Sequence, residues 1–291
     1  EAIEMLAELP DMWDVNVSDW ENDSMTSRFA QEGYQEEYIS FVKSVTSKPV
    51  SAVGRYTSPD TMVSAIRRGL VDILGAARPS IADPFLPNKI KQGRPEDIRE
   101  CIGCNICAAW NNLSAPSRCT QNPTMGEEWR KKWHPEKIAP KKSDSKILIV
   151  GAGPAGLEAA LGLGQRGYQV TLAEARSETG GRVTRESRLP ELNEWARVRD
   201  YRLGQIKRRP NVEIYLESEL NVDQILEFGA DHVALATGAL WRNDGVGRNI
   251  RFPVPGCNAL TPDDIMDAKR PATPGSAVTI YDDDHYYMGS V

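Results

Sequence analysis

The stretch Lys146-Ile147-Leu148-Ile149-Val150-Gly151-Ala152-Gly153-Pro154-Ala155-Gly156 decides how the second half of this 291-residue chain is read. Lys146 to Val150 is a short apolar run of strand length, and the apolar residues of Leu157 to Gly167 recur at helical spacing. Between them lies G-x-G-x-x-G. Gly151 permits the tight turn, Gly153 lets the backbone approach a pyrophosphate, and Gly156 allows close helix–strand packing, while the helix N-terminus adds partial positive charge. A second strand, Gln169 to Leu172, leads to Glu174, 23 residues past Gly151. A carboxylate there accepts hydrogen bonds from a ribose and disfavours a 2′-phosphate. A G-x-G-x-x-G alone is a weak signal. With strand before, helix after and an acid at the end of the next strand, it reads as a site for an adenine dinucleotide or ADP, the alternative being a plain glycine turn.

Immediately upstream, Pro140-Lys141-Lys142-Ser143-Asp144 is a polar, Pro-led linker. Before it come Cys101, Cys104, Cys107 and Cys119, in the pattern C-x2-C-x2-C-x11-C. Disulfides between residues three apart close very small loops, so metal is the better reading. Zinc sites bring ligands as two separated pairs, whereas three thiolates at two-residue intervals with a distant fourth suit a [4Fe–4S] cubane. Zinc and unliganded thiols are the alternatives. Residues 101 to 142 have little periodicity, as expected of a segment folded around a metal. Cys257, alone in Pro-Gly-Cys, reads as an ordinary loop residue.

Farther upstream the pattern is β-loop-α. A helix over Ala2 to Leu9 precedes a strand over Met12 to Val17, a helix over Gln35 to Val45, a strand over Val50 to Val53, a helix from Ser58-Pro59-Asp60 to Arg68 and a strand over Val71 to Leu74. Such strands imply a parallel sheet, either doubly wound or part of a (β/α)₈ barrel. Downstream of the glycine loop, Gly180-Gly181-Arg182 follows the second strand. Val233 to Ala239, running through Thr237-Gly238, reads as a further buried strand, and Ala277 to Tyr281 as another. Asp282-Asp283-Asp284-His285 then offers no phosphate cradle.

Lys plus Arg total 35 against 41 Asp plus Glu, a net charge of −6, which gives no general attraction to nucleic acid or anionic lipid. The most apolar stretch, Ile147 to Gly164, is broken by Pro154, Glu158 and glycines, so no membrane span is expected. The opening EAIEMLAELP shows no targeting signal and no initiator Met, pointing to a fragment of a soluble, cytoplasmic protein.

The Gly-Gly pair and the Ala-Thr-Gly strand beside the phosphate loop resemble the FAD-binding domain of glutathione-reductase-like flavoproteins. Barrel-like units, a four-Cys cluster and an FAD-type domain, in that order, resemble the iron–sulfur flavoprotein branch of the old yellow enzyme family. Val53-Gly54-Arg55-Tyr56, Ala77-Arg78-Pro79-Ser80-Ile81-Ala82-Asp83-Pro84, Cys101-Ile102-Gly103-Cys104-Asn105 and Trp133-His134-Pro135-Glu136-Lys137 look like motifs of its trimethylamine and dimethylamine dehydrogenase group. The fold implied is α/β: residues 1–99 as strands six to eight of a (β/α)₈ TIM barrel, 100–143 as a [4Fe–4S] segment and linker, 144–275 as a Rossmann-like FAD/ADP domain, and 276–291 as the start of a second nucleotide-type domain.

The resemblance also implies site residues. Gly54, Arg55, Ala77 and Arg78 grip an FMN phosphate, at loops where barrels commonly hold one. Gly151, Gly153, Ala155, Gly156, Glu174, Gly181, Arg182 and Thr237 hold ADP or FAD, and the four cysteines hold the cluster. Asp23 completes a Tyr-His-Asp constellation whose other members fall before residue 1, and Trp20 and Trp110 belong to an aromatic bowl that receives a methylated ammonium. The activity implied is oxidative demethylation of a secondary or tertiary methylamine, with an electron-transferring flavoprotein as acceptor, and the resemblance admits a homodimer. Two rivals stand: an NAD(P)H-dependent ene or 2,4-dienoyl-CoA reductase, and a non-enzymatic protein with a structural cluster.

Overall fold

In a computed structural model, residues 1–17, 30–112, 115–130, 134–267 and 275–282 are described. They form two compact units, Glu1–Ala139 and Pro140–Val291.

The first unit carries three parallel strands in the order β1 (Trp13–Val15), β2 (Val50–Ala52) and β3 (Ile73–Leu74). In the central strand Val50 and Ala52 share one face and are wholly buried, while Ser51 on the other face is half-buried. With Val15, Ile39, Val42 and Val71 they make the core of this unit. The strand expected over Val71 to Leu74 is shorter because Asp72 is used differently. Its carboxylate accepts from the Val50 amide at 2.8 Å and from Lys43 Nζ at 2.6 Å. The helix expected over Gln35 to Val45 is two helices, Glu36–Ile39 and Val42–Val45. Ser40 and Phe41 between them keep right-handed helical backbone angles, so the break lies in hydrogen bonding rather than in direction. Pro59 opens the helix Pro59–Arg67 at the position where a missing N–H costs nothing.

The four-cysteine segment clusters with this first unit, and part of it is regular: a helix spans Ile106–Asn112 where an irregular loop was expected. A buried ion network leads into it. Lys89 Nζ donates to Asp83 Oδ2 at 2.7 Å, Glu136 Oε1 at 2.8 Å and the Asp97 carbonyl at 2.9 Å, while the Arg99 amide donates to Asp83 Oδ2 at 2.9 Å. Lys89 is only 2% exposed and Asp83 not at all. Removing one partner of so deep a pair costs about 3–5 kcal/mol, because the other charge stays behind.

The second unit is a four-stranded parallel sheet in the order β6 (Val212–Tyr215), β5 (Gln169–Ala173), β4 (Lys146–Val150) and β7 (His232–Leu235). Ile147, Ile149, Leu157, Leu161, Val170, Leu172, Ile206 and Val212 form its core, each such side chain worth roughly 1.5–3 kcal/mol of burial. The helix Pro154–Arg166 ends at Gly167, whose φ of 93° closes the last turn.

Two expectations are corrected here. The strand expected to be buried over Val233 to Ala239 is β7, four residues long and outermost in the sheet, with Leu235 71% exposed. It pairs with β4 on one side only among the described residues; Ala234 packs against the core, while Val233 and Leu235 on the opposite face are exposed. Ala277 to Tyr281 forms no strand, and Val278 and Ile280 are exposed. A strand needs a neighbouring edge for its amides, and among the described residues none is paired with it. No helix among the described residues is long and apolar enough to cross a membrane.

Candidate functional site

In the first unit, the ends of β2 and β3 deliver the loops Val53 to Thr57 and Gly75 to Arg78 to one cavity of about 500 Å³, a volume suited to a small organic ligand. Gly54, Arg55, Ala77 and Arg78 all line it, and so do Cys101 and Cys107. Arg55 is buried and holds a left-handed backbone with φ of 60°, conformational strain that a surrounding structure must sustain. Some of that support is visible: the Gly54 carbonyl accepts from the Gly33 amide at 2.7 Å, and Thr57 is fastened through its amide to Glu32 at 2.9 Å. Tyr56, wholly buried beneath the loop, donates to Glu36 Oε1 at 3.0 Å. Burial and that carboxylate hold its phenol well above the usual range.

Cys104 lies close enough to Cys101, Cys107 and Cys119 to raise the proton affinity of each. Burial pushes the Cys101 thiol up to about 12, with Cys104 and Cys119 adding to the rise; burial likewise lifts Cys107 and Cys119. Backbone amides point at sulfur, Gly103 N–H to Cys101 Sγ and Gln121 N–H to Cys119 Sγ, both at 3.4 Å, and the Thr120 hydroxyl lies 3.3 Å from Cys104 Sγ. Such donors stabilise thiolate and sulfide and tune a cluster's potential. Among the described residues no three His, Cys, Asp or Glu side chains converge tightly enough for a single ion. Cys104 is buried and the other three cysteines half-buried, and four thiolates packed together need compensating positive charge, which an iron–sulfur core would supply, so this donor set fits such a cluster.

In the second unit the predicted residues gather around the glycine loop. Gly151 has φ of 102°, and a Cβ there would lie 2.4 Å from the Ala236 carbonyl oxygen; a Cβ on Gly156 would lie 1.9 Å from the Gly151 carbonyl oxygen. At Gly153 a Cβ would meet no atom within 4 Å, so the space above it is open to a ligand rather than filled by protein. Ala155 is exposed in the first turn of the following helix, and a Cβ on Gly181 would lie 3.3 Å from the Gly153 Cα. The backbone nitrogen of Thr237 abuts Gly151, and its side chain is exposed. Glu174 does more than the sequence suggests: Oε2 accepts from the Ala152 amide at 2.7 Å and Oε1 from the Arg176 amide at 3.0 Å, tying the acid to the glycine loop. Arg182 forks onto Asp263, at 3.1 and 2.9 Å, and also donates to the Ala239 carbonyl.

Asp23 and Trp20 lie outside the described residues, and Trp110 falls in the helix Ile106–Asn112 with its side chain outside them. Three groups escaped sequence reasoning. Asp263, which binds Arg182 and Arg185, lies within a Thr261-x-x-Asp264 capping box that is visible in the sequence. Asn105 sits within a quoted motif, and its side chain meets Arg78. The Lys89–Asp83–Glu136 network joins residues 47 apart in sequence, with no local signal to announce it.

The comparisons with known proteins agree with this geometry. Residues 1–97 match the NADH:flavin oxidoreductase / NADH oxidase family, and residues 145–278 match the pyridine nucleotide-disulphide oxidoreductases. Dimethylamine dehydrogenase of Hyphomicrobium sp. (strain x) is 46% identical over 98% of this chain and 40% of its own length. Histamine dehydrogenase from Rhizobium sp. 4-9 is 55% identical with a TM-score of 0.90, over 99% of this chain and 42% of that one. The 6-hydroxypseudooxynicotine amine oxidase of Pseudomonas geniculata N1 is 61% identical with a TM-score of 0.87, over 92% and 41%. This chain thus spans about two fifths of the length of each. A phosphate-type loop cavity beside a thiol cluster, followed by a dinucleotide-type sheet, defines the class of flavoprotein oxidoreductases. Within that class the chain belongs to the old yellow enzyme family, in its iron–sulfur flavoprotein branch.

Proposed function

We propose that this chain is the central portion of an amine dehydrogenase that oxidatively demethylates a secondary or tertiary methylamine. The observation that carries the reading is the single cavity lined both by Gly54, Arg55, Ala77 and Arg78 and by Cys101 and Cys107. An organic redox group held by the first set lies within reach of an inorganic one held by the second. Residues 1–99 are then strands six to eight of a (β/α)₈ barrel, 100–143 the cluster segment, 144–275 the FAD/ADP domain, and 276–291 the opening of a further nucleotide-type unit.

FMN held at the loops after β2 and β3 would supply a two-electron acceptor for the substrate's methyl C–H, and a [4Fe–4S] cluster held by Cys101, Cys104, Cys107 and Cys119 would supply one-electron transfer. The chain's own residues prepare that chemistry. Arg78 and the amides of Gly54, Arg55 and Ala77 neutralise the phosphate and fix the flavin's position. By the family resemblance Trp20 and Trp110 are assigned to an aromatic receptor for the methylated nitrogen, and Asp23 to fixing the tautomer of a histidine partner. The iminium left by the substrate takes up water and releases formaldehyde and the smaller amine. Gly151, Gly153, Ala155, Gly156, Glu174, Gly181, Arg182 and Thr237 form the receptor for ADP or FAD, and an electron-transferring flavoprotein is the acceptor.

The test is spectroscopic. The purified holoprotein is titrated anaerobically with methylated amines and, separately, with NADPH, while flavin absorbance and iron content are measured. Bleaching by an amine is expected. Bleaching by NADPH and by no amine reverses the proposed direction of electron flow, and an iron-free protein removes the cluster.

A further inference from the structure

Arg78 is placed by more than its own backbone. Its Nη1 donates to Asn105 Oδ1 at 3.0 Å, a bond between residues 27 apart that joins the loop after β3 to the cysteine loop. Asn105 follows Cys104, is buried, and holds φ of 60°. Its carbonyl accepts from the Ala109 amide at 3.0 Å, so the helix that carries Cys107 is built directly on it. Among residues with a side chain, asparagine tolerates this left-handed backbone best, and its amide oxygen is the acceptor that reaches the guanidinium. Glycine would accept the same backbone and supply no acceptor, so propensity alone does not explain asparagine here.

We propose that Asn105 is a positioning residue that aims the Arg78 guanidinium into the shared cavity, so that the cysteine loop sets how tightly the phosphate end of the flavin is held. The inference rests on the FMN reading above and adds to it a specific dependence of phosphate recognition on a residue of the cluster loop. A guanidinium tethered on one edge enters the phosphate site with part of its side-chain freedom already lost, and preorganisation of that kind strengthens binding.

The experiment compares FMN with riboflavin, which lacks the phosphate, on protein purified with its cluster intact and stripped of flavin, binding being read by flavin fluorescence and iron by assay. Asn105→Gly is expected to weaken FMN about tenfold while leaving riboflavin and iron content unchanged, as loss of a hydrogen bond to a charged group predicts. Should the glycine variant lose iron, Asn105→Ser, whose hydroxyl is too short to reach Arg78, takes its place with the same expectation. An unchanged preference for FMN, or equal weakening of FMN and riboflavin, overturns the proposal. Arg78→Gln separates the two levels. If it abolishes the preference while the Asn105 variants do not, only the role of Asn105 falls; if it too leaves the preference intact, the phosphate is not at Arg78 and both readings fall.

Discussion

Three glycines in the helix Pro154–Arg166 meet different surroundings, and replacing each by alanine separates the packing account of the phosphate loop from helix propensity. At Gly156 the new Cβ would lie 1.9 Å from the Gly151 carbonyl oxygen, which is backbone and cannot swing aside. Relief to ordinary contact, about 3.4 Å, requires the helix to retreat by more than ~1 Å from the strand that aims it. Overpacking of this kind costs about 1–3 kcal/mol. Against it stands the gain from replacing helical glycine by alanine, about 1 kcal/mol. A net loss of up to about 2 kcal/mol is expected for Gly156→Ala, lowering the unfolding midpoint by up to roughly 8 °C for a unit of this size. Gly162 meets nothing within 4 Å, so Gly162→Ala keeps the propensity gain without the clash and raises the midpoint by a few degrees. Gly164→Ala falls between them, because its Cβ would press 2.4 Å from Val212 Cγ2, a side chain able to rotate. Thermal unfolding followed by circular dichroism ranks the three, and titration with ADP adds the functional readout, Gly156→Ala alone losing affinity through a displaced loop. If Gly156→Ala proves as stable as Gly162→Ala, the close approach of helix to strand is not what glycine serves here.

Other expectations test single contacts. Glu174→Gln leaves the Ala152 and Arg176 amides sharing one oxygen and one NH₂ in place of a carboxylate; about a tenfold weaker hold on ADP is expected by calorimetry, with little change in fold. Cys104→Ala should lose cluster iron in a colorimetric assay while the nucleotide of the second unit remains bound. The Arg182 guanidinium holds the Asp263 carboxyl below the usual carboxylate range, so this ion pair stabilises above pH ~4 and is lost as the pH falls through that lowered value. Asp263→Asn should therefore cost stability at pH 7, and the gap between variant and parent should close as the pH falls below the usual carboxylate range in acid unfolding curves.

Much of the second unit was legible because its signals are local. A strand, three glycines and a helix fall within one run of residues, and the acid that braces the loop stands at the end of the next strand, so each piece could be recognised from neighbours in sequence. Glu174 shows the limit: an acid at that position was foreseen as a ribose acceptor, yet its bond to Ala152 depends on how two strands align. In the first unit Gly54, Arg55, Ala77 and Arg78 were found from strand ends, whereas the shared cavity required the cysteine loop to return over them. Asn105 was read as part of a motif without a task, since its task is to meet a residue 27 positions away. The errors at Val233 to Ala239 and Ala277 to Tyr281 share one cause. An apolar run states what a segment would bury, and only its neighbours determine whether burial is available.

The outermost position of β7 carries a liability of its own. One side of this ribbon keeps its amides and carbonyls without a partner strand among the described residues, and Leu235 stands in water beside them. Such an edge is a template on which another extended chain can pair, and a copy of the same segment is the readiest candidate at high concentration. Self-association through this rim, suppressed by placing lysine at Leu235, is therefore the first failure to guard against when these residues are produced by themselves.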